Sequence, residues 1–297
     1  MKVLMGTDGS VHASSAMLAA SRFLRRIDLQ VDVLCASPEP AAQSVGTSLP
    51  GPTAFKERFT RPARRALDDA RRILSLAHVK THGILDIGSP ADCLLASAPK
   101  YDLTVVGAYG KHERKQPGLG PVSTRLIQIS TANIMVGREL INQDNFRVLI
   151  AVDSSDASLS ALNTLAALFD CSSFDITVMH VIETSWTSFY VSDEEADSEE
   201  LSEYGRQLEM EMRRLADDTV KRARQHLEGR GIAASTIIEE GDPALELCSY
   251  AEEGGYDLIV CGATGASDVK HALLGSVSLK LAWNAPCSVL IVRRFVE

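Results

Sequence analysis

The 297-residue sequence lacks several features that assign a protein to a broad class at once. It has no continuous apolar run of about 18 residues, so it predicts no membrane-spanning helix. Basic residues are not in excess: the formal net charge is −9 and the isoelectric point about 5.3, which argues against a nucleic-acid-binding protein. The six cysteines form no Cys-x-x-Cys pair, which is typical of reduced, structural thiols.

Short motifs of common catalytic sites are also missing. There is no Walker A pattern, and the nearest approach to the Ser-Gly-Gly-x-Asp-Ser segment of some ATP-using enzymes is Asp153-Ser-Ser-Asp156. His78 and His82 have the spacing of a helical metal site, but the residues that follow read as a strand, so we predict no metal site. His180 falls at a predicted strand end and is interpreted as packed or hydrogen-bonded. We therefore assign no catalytic residue.

The first residues, MKVLMGTDGS, hold an apolar stretch that is too short for a signal peptide and leads directly into a turn pattern. We therefore expect a cytoplasmic protein. The acidic balance favours solubility, and neither nucleic acid nor a membrane is an expected partner.

What the sequence does contain is an internal repeat. Five segments recur in the same order, beginning with apolar runs that end in Asp8 and, 145 positions later, in Asp153. The other four pairs are VDVLCAS with ITVMHVI, ILDIGSPADCLL with IIEEGDPALELC, YDLTVVG with YDLIVCG, and ANIMVGR with CSVLIVR. We infer a first copy of residues 1–142 and a second copy of residues 143–297, joined by a polar linker at 139–145.

The apolar runs are continuous, as in parallel strands that are buried on both faces. Amphipathic stretches between them predict helices at 10–24, 62–76 and 208–227, and Pro90 and Pro243 mark the first turn of a further helix in each copy. The sequence therefore predicts an α/β protein with two tandem, doubly wound, parallel five-stranded sheets of Rossmann-like type.

The segment GATGASDVKHALLGSVS carries the clearest chemical signal. It follows an apolar strand, contains Gly262, Gly265 and Gly275, and passes through Ser276 into a helical pattern. Glycines allow tight turns and close approach to a ligand, and a helix N-terminus offers free N–H groups and a positive dipole end to a phosphate. Ligands of doubly wound sheets bind outside the carboxyl ends of the strands, where Asp153 also falls.

This segment resembles the Gly-x2-Gly-x9-Gly-Ser/Thr motif of the universal stress protein family, and Gly262, Gly265, Gly275 and Ser276 match that motif in full. The phrase LLGSVS followed by NAPCSVLIVR, and the strand ending VDSSDAS, are also similar to the family's sequences. The resemblance covers nearly the whole chain in two copies, which makes the chain similar to a tandem universal stress protein. It implies binding of ATP, or of AMP or ADP, with or without Mg²⁺ bound to the nucleotide.

The resemblance also implies the residues of a nucleotide site in the second copy. Asp153 would lie near the adenosine, Val181 would line the adenine pocket, and Gly262 would approach the ribose. The glycines and serines further along the motif would hold the phosphates. The predicted site comprises Ala151, Val152, Asp153, Val181, Cys261, Gly262, Gly265, Gly275, Ser276, Val277 and Ser278.

Two further groups of residues each allow two interpretations of their role. Family members often have Arg after the second motif glycine, where this chain has Ala266. Lys270 and His271 either supply the positive charge or are solvated surface residues. A long insert follows the second strand of each copy, at 38–59 and 184–205, and is either a solvated loop or a lid beside the ligand.

The first copy keeps the glycine spacing but has Pro121 where the family has Ser or Thr. Proline has neither an N–H group nor a hydroxyl, and Ala36 replaces Val181, so we predict weaker or absent ATP binding. The alternative is that Pro121 merely starts the helix and binding survives with altered geometry. The weaker candidates of this copy are Thr7, Asp8, Gly107, Gly110, Gly120 and Ser123.

Family members with one copy commonly dimerise through their last strand. The resemblance therefore implies an intramolecular pseudo-dimer in which residues 132–137 pair with residues 288–292. Dimerisation of the whole chain is a further alternative. A nucleotide-binding stress or regulatory module is the favoured function. The alternatives are a slow Mg²⁺-dependent ATPase and a protein-interaction scaffold that uses no nucleotide.

Overall fold

The computed structural model describes residues 1–24, 27–38, 52–111, 118–142, 144–183, 199–265 and 274–293. Within these ranges, strands and helices alternate in each copy. The strands are β1 (Lys2–Gly6), β2 (Gln30–Ser37), β3 (Thr81–Ile87), β4 (Leu103–Gly107), β5 (Ile134–Gly137), β6 (Phe146–Ala151), β7 (Phe174–Glu183), β8 (Ser235–Gly241), β9 (Leu258–Gly262) and β10 (Ser288–Val292). The helices are α1 (Val11–Phe23), α2 (Pro52–Leu76), α3 (Pro90–Ser97), α4 (Pro121–Ile129), α5 (Asp156–Leu168), α6 (Glu199–Glu228), α7 (Pro243–Gly254) and α8 (Ser276–Asn284).

The ten strands form one sheet in the order β3-β2-β1-β4-β5-β10-β9-β6-β7-β8. All strand pairs within a copy are parallel, which confirms the predicted doubly wound sheet of five strands per copy. The two sheets are joined where β5 pairs with β10 antiparallel, with Val136 opposite Val289 and Ile134 opposite Ile291. We call this junction the seam. It confirms the predicted intramolecular pseudo-dimer.

Helices cover both faces of the sheet, and this explains why the central strands are apolar along their whole length. Every residue of β9 and β10 is buried. On one face, aromatic rings from both copies pack together: Phe23 of α1 lies edge to face with Phe146 at 5.2 Å and with Phe174 at 5.8 Å between ring centroids. This shared apolar cluster holds the two copies together on that face, in addition to the seam.

Several helix starts agree with the sequence. Ser10 and Ser155 are the N-caps of α1 and α5, and their hydroxyls accept from the N–H groups three residues later. Pro90 and Pro243 occupy the first turns of α3 and α7, as predicted.

The predicted starts of the two long helices were wrong. α2 begins at Pro52 and contains Pro62, and α6 begins at Glu199 rather than at 208. A proline fits a first helical turn, but it does not mark one when the chain before it is also helical. The C-terminal parts of both inserts are therefore helical. Residues 39–51 and 184–198, which make up most of the rest, lie outside the described residues.

Candidate functional site

Three strand ends of the second copy meet at one edge of the sheet. β6 lies between β7 and β9, so the strand order reverses direction at β6, and ligands of doubly wound sheets bind at such a switch point. Asp153 follows β6, Val181 lies near the end of β7, and Gly262 ends β9. The structure thus brings the residues predicted for adenosine, adenine and ribose together at one edge.

The residues beneath this edge are apolar. Ala151 ends β6, and the next residue, Val152, is buried and donates its N–H to the Met179 carbonyl at 2.9 Å. Val181 is half-buried against a second apolar cluster, which also contains Cys261 and does not include the aromatic rings. Cys261 is buried in β9, and burial raises the pKa of its thiol to about 12. The base of the site is therefore apolar, and its thiol is uncharged at neutral pH.

The first motif glycine has a packing role. A Cβ atom on Gly262 would lie 2.8 Å from the Cβ of Ala157 and 3.0 Å from its carbonyl carbon, in the first turn of α5. In the first copy, a Cβ on Gly107 would lie 2.9 Å from the carbonyl carbon of His12 in α1. Glycine at this position therefore allows the helix to start close to the neighbouring strand end. The predicted approach of Gly262 to a ribose stays a prediction.

Asp153 is oriented by the start of α5. Its Oδ1 accepts from the Ser155 N–H at 3.0 Å and from the Ser158 hydroxyl at 2.6 Å, and also from the Ser155 hydroxyl. The Asp153 N–H donates to the Ser158 oxygen at 2.8 Å. Neither serine was predicted to orient Asp153, although a serine N-cap followed three residues later by a second serine is visible in the sequence. The Asp153 carboxylate is consequently fixed before any ligand binds.

The matching aspartate of the first copy binds the motif loop. The Oδ2 of Asp8 accepts from the Lys111 N–H at 3.0 Å, and a Cβ on Gly110 would lie 2.8 Å from the same oxygen. Thr7, which precedes Asp8, accepts from the Gly9 N–H at 3.1 Å. The second motif glycine therefore leaves room for the aspartate that ends the first strand.

The N-terminus of α8 presents free donors, and we call it the cradle. Gly275 is its N-cap and has no side chain to bind the helix N–H groups; its own N–H donates to the Ala263 carbonyl at 2.7 Å. The first helical hydrogen bond runs from Leu279 to Gly275 at 3.1 Å. The N–H groups of the three residues between them, 276–278, have no hydrogen-bond partner among the described residues. Such donors at a positive helix end can bind an anion.

The two serines of the cradle differ in exposure. Ser276 is exposed at the first helical position. Ser278 is 4% exposed, and its hydroxyl donates to the Gly262 carbonyl at 2.6 Å. In the first copy, Ser123 is also buried and donates to the Ala108 and Gly120 carbonyls. The hydroxyl of Ser278 thus links the cradle to the end of β9, and its N–H remains the free donor.

The profile of the Universal stress protein family matches the chain twice, over residues 1–138 and 145–293. The chain belongs to the universal stress protein family. It is similar to Universal stress protein YxiE of Bacillus subtilis (strain 168), with 31% identity over 154 residues that cover 50% of this chain and 98% of that protein. It is also similar to Universal stress protein MJ0531 of Methanocaldococcus jannaschii, with 32% identity over 158 residues that cover 50% of this chain and 82% of that protein.

One solved structure shows the same fold over both copies. A universal stress protein from Archaeoglobus fulgidus DSM 4304 covers 99% of this chain and 98% of its own, with a TM-score of 0.66 and 19% identity. The curated relatives each match about half of this chain, whereas this structure matches nearly all of it. This universal stress protein therefore consists of two family units in tandem.

The first copy of this universal stress protein has the backbone of a cradle but lacks the donors of its first helical residue. Gly120 is the N-cap of α4, and its N–H donates to the Ala108 carbonyl at 2.8 Å, as Gly275 does to Ala263. Pro121 occupies the first helical position and supplies neither an N–H group nor a hydroxyl. Pro121 therefore starts the helix, and whether the first copy binds ATP more weakly stays a prediction.

Other predicted residues are placed as follows. The Nδ1 atom of His180 lies 2.8 Å from the Val152 carbonyl, which confirms the prediction of a hydrogen-bonded histidine. Gly265 follows β9 and is partly exposed, whereas residues 266–273, including Lys270 and His271, lie outside the described residues. In the described part of the chain, no three His, Cys, Asp or Glu side chains are grouped so that they could hold a metal ion. Nor is any described helix both long and apolar enough to cross a membrane.

Proposed function

We propose that this universal stress protein binds ATP, or another adenine nucleotide, in its second copy and acts as a regulatory module in a stress response. One observation carries the proposal: the cradle offers three N–H groups without a partner among the described residues, at the positive end of a helix and next to the switch point of the sheet. The family motif, complete in this copy, supports the same assignment. We take the binding units to be residues 1–142 and 143–297.

The residues of the second copy fit an adenine nucleotide. The N–H groups of Ser276, Val277 and Ser278, with the exposed Ser276 hydroxyl, would hold phosphate oxygens. Gly265 and Gly275 keep side chains away from the phosphates, and Gly262 would lie beside the ribose. The base and the sugar would rest on Ala151, Val152, Val181 and Cys261, with the Asp153 carboxylate, already oriented, as the polar contact to the adenosine. Mg²⁺ would then be bound through the nucleotide's own phosphates.

The first copy would bind the same ligand more weakly. Its cradle has one N–H group and one hydroxyl fewer because of Pro121, and Ala36 offers less apolar surface than Val181. Hydrogen bonds to a charged phosphate contribute about 1.5–3 kcal/mol each, so one missing donor changes the affinity by roughly tenfold or more.

Nucleotide analysis of the purified protein tests the proposal. We expect adenine nucleotide to be released when the protein is denatured, and calorimetry with ATP to show one dominant site per chain. Protein that carries no nucleotide and takes up no ATP at millimolar concentration would instead be a scaffold. Steady phosphate release over hours from the wild-type protein would establish the ATPase alternative.

A further inference from the structure

Arg138 of the first copy crosses the seam and binds the helix that carries the cradle of the second copy. Its Nη2 donates to the Ala282 carbonyl at 2.7 Å and its Nη1 to the Cys287 carbonyl at 3.1 Å. Its backbone N–H donates to the Ser288 hydroxyl oxygen at 3.0 Å. Ala282 lies in the last turn of α8. A side chain of one copy thus caps the C-terminal end of the helix whose N-terminal end is the cradle.

The guanidinium of Arg138 binds one carbonyl in the last turn of α8 and one in the segment that follows the helix. No carboxylate lies within ion-pair distance of it in the part of the chain that the structure describes. Arg138 is partly buried, and burial lowers the pKa of its guanidinium. The C-terminal end of a helix carries a partial negative charge that favours a cation. Arg138 therefore neutralises the negative end of α8, at the opposite end of the helix from the cradle.

The first copy touches α8 at a second point. A Cβ on Gly118 would lie 3.4 Å from two ring carbons of Trp283, in the last turn of α8. Gly118 precedes Gly120 in the first copy's motif segment. Arg138 and Gly118 of the first copy thus both lie beside the C-terminal end of α8, whereas the cradle is at the helix's N-terminal end.

We propose that Arg138 is a positioning residue for nucleotide binding by the second copy, an inference that rests on the proposed function above. α8 has nine residues and is about 13 Å long, so the Arg138 contact lies about two helical turns from the cradle. A helix held at its C-terminal end keeps its free N–H groups pointing in one direction. Arg138 thereby makes the second copy's site depend on the first copy, even if the first copy binds no nucleotide itself.

Arg293 provides a matched control on the opposite side of the seam. Its Nη1 donates to the Ser130 carbonyl at 2.7 Å, its Nη2 donates to the Ile127 carbonyl, and its N–H donates to Asn133 Oδ1 at 2.8 Å. These contacts cap α4, the helix that begins at Pro121. The two arginines therefore make equivalent contacts across one interface, but only Arg138 caps a complete cradle.

Calorimetric titration of the full-length chain with ATP tests the proposal in wild-type, Arg138→Met and Arg293→Met proteins. Methionine keeps an aliphatic stem but removes the charge and the donors. We expect R138M to bind ATP about five- to tenfold more weakly and R293M to change the affinity by less than about twofold. The midpoint temperature of thermal unfolding should fall by a similar amount in both variants, since each loses one helix cap at the same interface.

The outcomes are distinct. R138M binding ATP as tightly as the wild type, or R293M losing affinity as strongly as R138M, would overturn the positioning role. If the wild-type protein takes up no ATP, the proposed function is wrong and this inference fails with it. If R138M does not fold, Arg138→Gln, which retains an N–H donor without the charge, is measured against R293Q by the same criteria.

Discussion

Gly120 and Gly275 hold nearly the same backbone conformation at the starts of equivalent helices. Their φ and ψ angles are −74° and 165° for Gly120, and −77° and 159° for Gly275. Each donates its N–H to the carbonyl of the alanine that follows the neighbouring strand. At these N-caps the backbone is therefore equivalent, and the two helix starts differ in the chemistry of the next residue, Pro121 or Ser276.

Because of this equivalence, Ser276→Pro should remove the N–H and hydroxyl donors of residue 276 without changing the backbone of the helix start. Proline is favoured at the first helical position, and Pro121 already occupies that position in the first copy, so the variant should fold. We expect ATP to bind about 10- to 100-fold more weakly, because one N–H group and one hydroxyl are lost from a charged ligand. Ser276→Ala removes the hydroxyl alone and should lose less affinity. Calorimetry that finds equal ATP affinity in S276P and wild type would refute the cradle.

The reverse substitution, Pro121→Ser, should create a second site. It restores the N–H group and the hydroxyl at a helix start whose backbone already matches that of Gly275. We expect the ATP stoichiometry to rise from about one towards about two per chain, with the new site weaker because Ala36 remains. Pro121→Ala, which restores the N–H group only, serves as the comparison. A stoichiometry that stays at one would place the first copy's defect elsewhere.

Local sequence patterns predicted much of this architecture. Buried parallel strands need continuous apolar runs, so the strands and the doubly wound sheet of each copy could be inferred from the repeat. The pairing across the seam was implied by the family resemblance. The start of α2 could not, because Pro62 is compatible both with a first turn and with a helix that began earlier. The capping role of Arg138 could not be predicted either, since its partners Ala282 and Cys287 lie more than a hundred residues away and leave no local pattern.

The packing role of Gly262 gives a stability prediction. A Cβ there would lie 2.8 Å from the Cβ of Ala157, so Gly262→Ala must push α5 away from the end of β9. We expect a loss of about 1–3 kcal/mol in the free energy of unfolding, measured by urea titration, and weaker ATP binding. Gly205→Ala is the control: Gly205 lies inside α6 with nothing within 4 Å of the new Cβ. That variant should gain about 0.5–1 kcal/mol. If the G262A protein is as stable as the wild type, the packing role assigned to Gly262 is wrong.

The cysteines should behave as structural thiols. Cys35, Cys93, Cys261 and Cys287 are buried, whereas Cys171 and Cys248 are partly exposed. Burial raises the pKa of the Cys261 and Cys287 thiols to about 12 and that of Cys35 to about 11. A raised pKa lowers the thiolate fraction, and only the thiolate is reactive, so reaction at these sites should increase with pH only well above pH 8.

A thiol-specific reagent at pH 8 measures this directly. In the native protein we expect rapid reaction at no more than two thiols, with Cys171 faster than Cys248, because burial also raises the pKa of Cys248. All six thiols should react once the protein is unfolded in denaturant. Cys171→Ser should remove the fastest phase and leave the remainder unchanged. Rapid modification of Cys261 and Cys287 in the native protein, located by mass spectrometry, would show that β9 and the start of β10 open to solvent. In that case the seam, which β10 forms with β5, would not be the stable junction that its pairing indicates.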